Sequence, residues 1–429
     1  MRYISTRGRS APVTADQALR AGLAPDGGLY VPETLPQFTP ADFHPDISLG
    51  ALGGALLSPL FSESRLAGAI ASIAEDAFDF DVPMLALENG PYVLELIHGP
   101  TGAFKDFGAR FLFRAFDQMA DDRDPITVLA ATSGDTGGAV GCAAEGARNA
   151  RAVILFPKGR ISAFQERQLC CWGPPVSALR VDGDFDACQA LVKQAFGDAD
   201  LSRTHGLTSA NSISIGRLLP QMTYWAKAAL ELYARTGKAP GLIVPTGNLG
   251  NAVAAIIARK MGLPIGPVVL ATNANPTLSE WKTRGVYQAR PALATLANAM
   301  DVGAPSNFER LAHIDPDGIA GVVKVDDAAI EARIRKAFSE QNYIACPHTA
   351  TGLEAFHALP DGERDQRPWI VGATAHAYKF ADVVEPLIGE SLAPPPALAA
   401  VLKRDVRVRD IPASLDALEE ALAAEKALI

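Results

Sequence analysis

His98-Gly99-Pro100-Thr101-Gly102-Ala103-Phe104-Lys105-Asp106-Phe107-Gly108 lies between two segments of different periodicity. Before it, Tyr92-Val93-Leu94-Glu95-Leu96 reads as a buried strand. After it, Ala109 to Phe116 reads as a helix with its apolar residues on one face. Lys105 therefore sits near a helix start, behind a Gly-Pro-Thr-Gly turn. The positive end of a helix disfavours a further cation. Partial burial acts in the same direction and lowers the amine toward neutrality. A neutral lysine amine can form a Schiff base.

Two further strand–glycine–helix turns follow. In the first, Ile126–Ala131 runs through Thr132 into Ser133-Gly134-Asp135-Thr136-Gly137 and a small-residue helix. In the second, Leu242-Ile243-Val244 runs into Thr246-Gly247-Asn248-Leu249-Gly250-Asn251 and another helix. Backbone N–H groups at such turns bind carboxylate or phosphate. One such loop is weak evidence, since glycine turns end many strands. Two anion cradles and a Schiff-base lysine together suggest a phosphate-bearing cofactor and an amino-acid substrate.

These motifs, in this order, resemble the threonine synthases, pyridoxal-phosphate (PLP) enzymes of the tryptophan-synthase-β fold type. The resemblance extends to Met1–Gly8, Ala24–Pro32, Phe156–Ser162, Asn211–Ser214 and Thr374–Phe380, so it covers nearly the whole chain. It implies an α/β protein of PLP fold type II. Two parallel-type α/β domains hold the cofactor between them, beside an N-terminal subdomain over residues 1–90. Residues 91–119 with 216–429 are expected to form the large PLP-binding domain, and residues 120–215 the small one. It implies that Lys105 carries PLP and that Gly247, Asn248, Leu249, Gly250 and Asn251 cradle the cofactor phosphate. Thr374 would face the pyridine nitrogen. Ser133, Gly134, Asp135, Thr136 and Gly137 would receive the substrate carboxylate. The wider fold type usually has Asn where Asp135 stands, and an Asp there is expected to point away or cap the helix that follows.

The family substrate, O-phospho-L-homoserine, needs a second phosphate site. Lys379 is the first choice, five residues after Thr374, ahead of Arg110, Lys158, Arg160 and Arg217. His98 and His376 flank motifs and are candidates for proton relay or for structural hydrogen bonds. The expected reaction is loss of phosphate from Cγ followed by addition of water at Cβ. The alternatives are a sibling PLP lyase, such as a threonine dehydratase or an O-phosphohomoserine phospholyase, and a PLP-binding protein without turnover.

Composition agrees with a soluble enzyme: 48% of residues are hydrophobic and 20% charged. A net charge of −9 argues against nucleic acid or an anionic membrane as partner. No signal segment and no membrane-length apolar run is found. The five cysteines form no C-x-x-C pair, which fits reduced thiols in a cytoplasm. Cys346, two residues before His348, reads as a small buried thiol, because no other clustered ligand accompanies it. No metal is expected, and the partner is a small molecule. The chain is expected to be a monomer or a homodimer. A G-x-G-x-x-G after a strand, a G-x-x-x-x-G-K-[ST] and an H-E-x-x-H are all missing, which disfavours dinucleotide, P-loop and zinc chemistry.

Overall fold

The computed structural model describes residues 1–426 except positions 45, 122, 123, 133, 160 and 162. Among the described residues, thirteen strands, β1 to β13 in chain order, fall into three sheets. β1 (Tyr3–Ser5) and β2 (Tyr30–Pro32) form an antiparallel pair in the N-terminal region.

The larger sheet is built from β3 (Met84–Ala86), β4 (Tyr92–Glu95), β9 (Gly241–Pro245), β10 (Val268–Thr272), β11 (Gly321–Lys324) and β12 (Trp369–Ala373). Its order is β11-β10-β9-β12-β4-β3, and only β3 runs antiparallel to its neighbour. The smaller sheet, all parallel, holds β5 (Ile126–Ala131), β6 (Ala150–Pro157), β7 (Val176–Asp182), β8 (Leu207–Thr208) and β13 (Arg409–Pro412) in the order β13-β7-β6-β5-β8. β5, β6, β9, β10 and β12 are buried along their whole length. Parallel strands with both faces covered by crossover helices read as such continuous apolar runs.

The Lys105–Met119 helix is the spine between the sheets. Phe107, Phe111, Leu112, Phe113, Phe116 and Met119 are all buried along it. Phe107 meets Phe78, Phe80 and Tyr224 at ring-centroid distances of 5.8, 4.9 and 4.9 Å, and Phe111 meets Phe61 at 5.9 Å. Burying each such ring is worth about 1.5–3 kcal/mol. That packing fixes the start of the helix, and so fixes Lys105.

Two expectations are corrected. The sequence over Arg65–Ala77 reads as one helix, but the helix begins only at Ile70, because residues 64–69 close tight turns through Ala67 N–H to the Ser64 carbonyl and Ala69 N–H to the Leu66 carbonyl. The second expectation is that residues 91–119 and 216–429 form the large domain. Instead, β13 pairs with β7 of the smaller sheet. The Leu415–Lys426 helix buries Leu418, Ala421 and Leu422 in the same core as Leu129, Val153 and Leu179. The crossing runs through the Pro396–Leu402 helix, where Val401 packs on Cys171 and Trp172. A smaller sheet without β13 would leave that core open along β7.

Candidate active site

Lys105 is the first residue of its helix. The turn before it is stitched to the end of β12: Phe104 N–H donates to the Thr374 carbonyl at 3.0 Å, and His376 N–H to the Gly102 carbonyl at 2.9 Å. Gly102 has φ +65°, a conformation that favours glycine. The buried Asp106 carboxylate accepts from Thr101 N–H at 2.9 Å and Thr101 Oγ1 at 2.7 Å. The lysine is therefore held from both sides.

Its side chain lines a cavity of about 160 Å3 between the two sheets. Asp135 and Thr136 come from the smaller sheet. Gly247, Asn248, Gly250, Asn251, His348 and Thr374 come from the larger one, and Ser212, Arg217 and Gln221 from the connection between them. Burial pushes the Lys105 amine below its ordinary value, and Lys379 and Arg217 push the same way against the pull of Asp135.

The 246–251 turn is rigid. Thr246 Oγ1 donates to Asn251 Oδ1 at 2.8 Å, and Asn251 Nδ2 to the Pro245 carbonyl at 2.9 Å. Gly250 opens the Gly250–Lys260 helix. Leu249, the left-handed residue of the turn at φ 63°, is fully buried. Its N–H donates to Thr246 Oγ1 at 3.2 Å, and it does not line the cavity. A methyl group on Gly247 would stand 2.8 Å from Met300 Cα, so the backbone is as close there as it can be. These features fit a phosphate-bearing cofactor: a helix start, a glycine cradle and a depressed lysine amine facing one another.

Across the cavity, Asp135 opens the Asp135–Ala144 helix. Thr132 Oγ1 accepts from Gly134 N–H and Gly137 N–H, each at 3.1 Å. Gly137 packs against Leu169 and Ile154. Ser133 lies outside the described residues. Asp135 neither turns away nor caps its helix; it meets Lys379 at 2.8 Å. Burial alone would raise its pKa, but Lys379 and Lys105 together hold the carboxylate well below its usual range.

Lys379 is buried and does not line the cavity. Arg110 is spent on the Ala77 carbonyl at 2.8 Å and on Asp79 at 2.5 Å. Lys158 pairs with Asp410 at 3.1 Å on the surface. Arg160 lies outside the described residues. Arg217, by contrast, faces the cavity. One guanidinium nitrogen donates to the Ala210 carbonyl, and its buried Nε has no hydrogen-bond partner among the described residues. Burial lowers its pKa to about 10, opposed by Asp106, so it stays cationic at neutral pH.

His98 is half-exposed and pairs with Glu95 at 2.7 Å, away from the cavity. His376 instead caps the Ala377–Phe380 turn through Tyr378 N–H at 3.1 Å. Sequence reasoning passed over His348. Its neighbour Cys346 is the buried cap of the Pro347–His357 helix, as expected of a structural thiol. The histidine itself reaches the cavity, where its Nε2 accepts from Ala299 N–H at 3.1 Å. The Pro-His pair at a helix start was the available signal.

Burial pushes His348 down to about 4, helped by Lys105 and Lys379 and opposed by Asp135. Burial also pushes His376 down to about 4, with His98 and Lys379 adding to it. Both are neutral at pH 7. An unfolded histidine titrates near ~6.5, so on acidification the unfolded chain takes up these protons first. Stability should therefore fall as pH drops from ~6.5 toward ~4. Urea unfolding at several pH values checks this. His348→Gln and His376→Gln should each flatten the fall.

A fold of two mainly parallel sheets flanking a cavity floored by a lysine defines the class. A family model described as pyridoxal-phosphate dependent enzyme matches residues 87–371. Models for the threonine synthase N terminus and the threonine synthase C-terminal region match residues 2–77 and 349–422. The threonine synthase of Serratia marcescens is 37% identical over 98% of this chain and 99% of its own length. The crystal structure of threonine synthase from Escherichia coli aligns with TM-score 0.88 at 35% identity, covering 99% of this chain and 100% of that one. A PLP-bound threonine synthase structure from Brucella melitensis aligns with TM-score 0.92 at 34% identity, covering 99% of each chain. The chain belongs to the threonine synthase family of PLP-dependent enzymes.

Proposed function

We propose that this cavity converts O-phospho-L-homoserine and water to L-threonine and phosphate. The observation that carries the reading is the Lys105 amine, depressed by burial and placed between a phosphate-type glycine turn and a second helix start. PLP, when bound, supplies an electron sink for charge developing on the substrate carbons. Lys105 anchors the cofactor, and its amine then moves protons at Cα and Cβ. Gly247, Asn248, Gly250 and Asn251 hold the cofactor phosphate. Thr374, just after β12, would hold the pyridine nitrogen. The helix start at Gly134–Gly137 receives the substrate carboxylate.

The substrate phosphate needs a cation in the cavity. The sequence puts Lys379 first, but its ion pair with Asp135 supports a different role. Among the described residues, Lys105 and Arg217 are the lysine and arginine side chains that line the cavity, and Lys105 is committed to the cofactor. Arg217 therefore takes the phosphate through its guanidinium. Arg217→Gln should lower kcat/KM by roughly ten- to a hundredfold with normal cofactor absorbance, the value of a charge-assisted hydrogen bond. Steady-state kinetics decide this; a loss below about twofold would return the phosphate site to open question.

The reaction is tested by incubating the protein with O-phospho-L-homoserine and measuring phosphate and threonine together. Equal yields support the proposal. Phosphate released without threonine would assign a sibling lyase instead. Among the described residues no helix is long and apolar enough to cross a membrane. The five thiols are free, which supports a cytoplasmic setting.

A further inference from the structure

Asp135 and Lys379 approach each other from different sheets. Asp135 starts the helix after β5, whereas Lys379 lies in the Ala377–Phe380 turn after β12. Their 2.8 Å contact is buried on both sides. Lys379 Nζ also donates to the Thr101 carbonyl at 2.9 Å, and Gln168 Nε2 donates to the same oxygen at 3.1 Å. Asp135 faces the cavity and Lys379 stands behind it.

This arrangement resolves a conflict. The helix start assigned to the substrate carboxylate carries a carboxylate of its own. Left alone, Asp135 would repel the substrate and would be a buried charge without a partner. We propose that Lys379 is a positioning residue that sets carboxylate affinity through Asp135, cancelling its charge so that the helix start can accept a second carboxylate. The inference rests on the carboxylate assignment made above. It differs from both a phosphate-binding role and a purely mechanical tie between the sheets.

The test uses the holoenzyme with Lys379→Met and with Lys379→Met/Asp135→Asn. Two constants are read: KM for O-phospho-L-homoserine, and the dissociation constant of L-threonine followed by cofactor absorbance. L-Threonine carries the carboxylate without the phosphate. In Lys379→Met both constants should rise about ten- to a hundredfold, as for loss of an interaction with a charged group, with kcat changed by less than about threefold. Asp135→Asn in that background should return both to within about threefold of wild type, because the uncompensated charge is gone.

A double variant no better than the single one overturns the proposal. So does a rise confined to O-phospho-L-homoserine, which would put Lys379 on the phosphate after all. If Lys379→Met does not fold, the double variant is compared with wild type directly, and L-threonine binding weakened more than about tenfold overturns the idea. A wild-type protein that binds L-threonine but makes none from O-phospho-L-homoserine would refute the proposed reaction while leaving this binding test intact.

Discussion

Lys105→Ala should abolish threonine formation, with a loss greater than about a thousandfold. Two roles disappear at once: the covalent anchor of the cofactor and the amine that moves protons on the substrate. The alternative anchor to consider is Lys379, a buried lysine close enough to Lys105 for their charges to interact. Its ammonium is locked to Asp135 and the Thr101 carbonyl. A nucleophilic amine must be neutral, and an ion-paired ammonium is not. Borohydride reduction of the holoenzyme followed by peptide mapping should place the pyridoxyl group on Lys105. A label on Lys379 would falsify the assignment.

Gly247→Val should weaken cofactor binding by more than about tenfold and lower the stability of the cofactor-free protein by about 1–3 kcal/mol, the usual cost of overpacking. Its Cβ would meet Met300 Cα at 2.8 Å and Val302 Cγ2 at 3.0 Å. One of these is main chain, so it cannot rotate away. Gly250 provides the contrast. A Cβ there meets only Gln221 Nε2 at 3.7 Å and Asn307 Nδ2 at 3.9 Å, which is ordinary contact. Gly250→Ala should leave the cofactor-free protein within ~0.5 kcal/mol of wild type, while crowding the phosphate where it meets the helix start. PLP titration and urea unfolding of both variants separate the two effects. Equal affinity in Gly247→Val and wild type would move the phosphate elsewhere.

What could be read from the sequence was local. The strand before Lys105, the turn and the helix after it are contiguous, and each carries its own period. The central parallel strands announced themselves as β-branched runs because both faces are covered. The features that escaped depend on partners distant in the chain. Val406-Arg407-Val408-Arg409 alternates, but its residues stay half-buried or exposed, and nothing local says that β13 pairs with β7. His348 and the Ala299–Met300 segment meet at the cavity only after folding. For Lys379, spacing from Thr374 put the residue in the correct loop. It could not show that the turn capped by His376 aims the ammonium at Asp135 rather than into the cavity. The position of Asp135 was legible, but its counter-ion was not.

The return of the chain to the smaller sheet has a consequence for synthesis. Arg180 of β7 and Asp410 of β13 are paired at 2.7 Å, 230 residues apart in the chain. At about 5–20 residues per second, on the order of 10–50 s of translation separates them. Throughout that interval the ribosome-bound chain presents β7 with one side unpaired. A bare strand flank of this kind recruits stray neighbours. The larger sheet, whose β9 to β12 are made in that same window, can be finished while the smaller one still waits for its outer strand. The face bearing Asp135 thus gains its outer strand from the last part of the chain to be made, after every strand of the sheet bearing Gly247 has been synthesised.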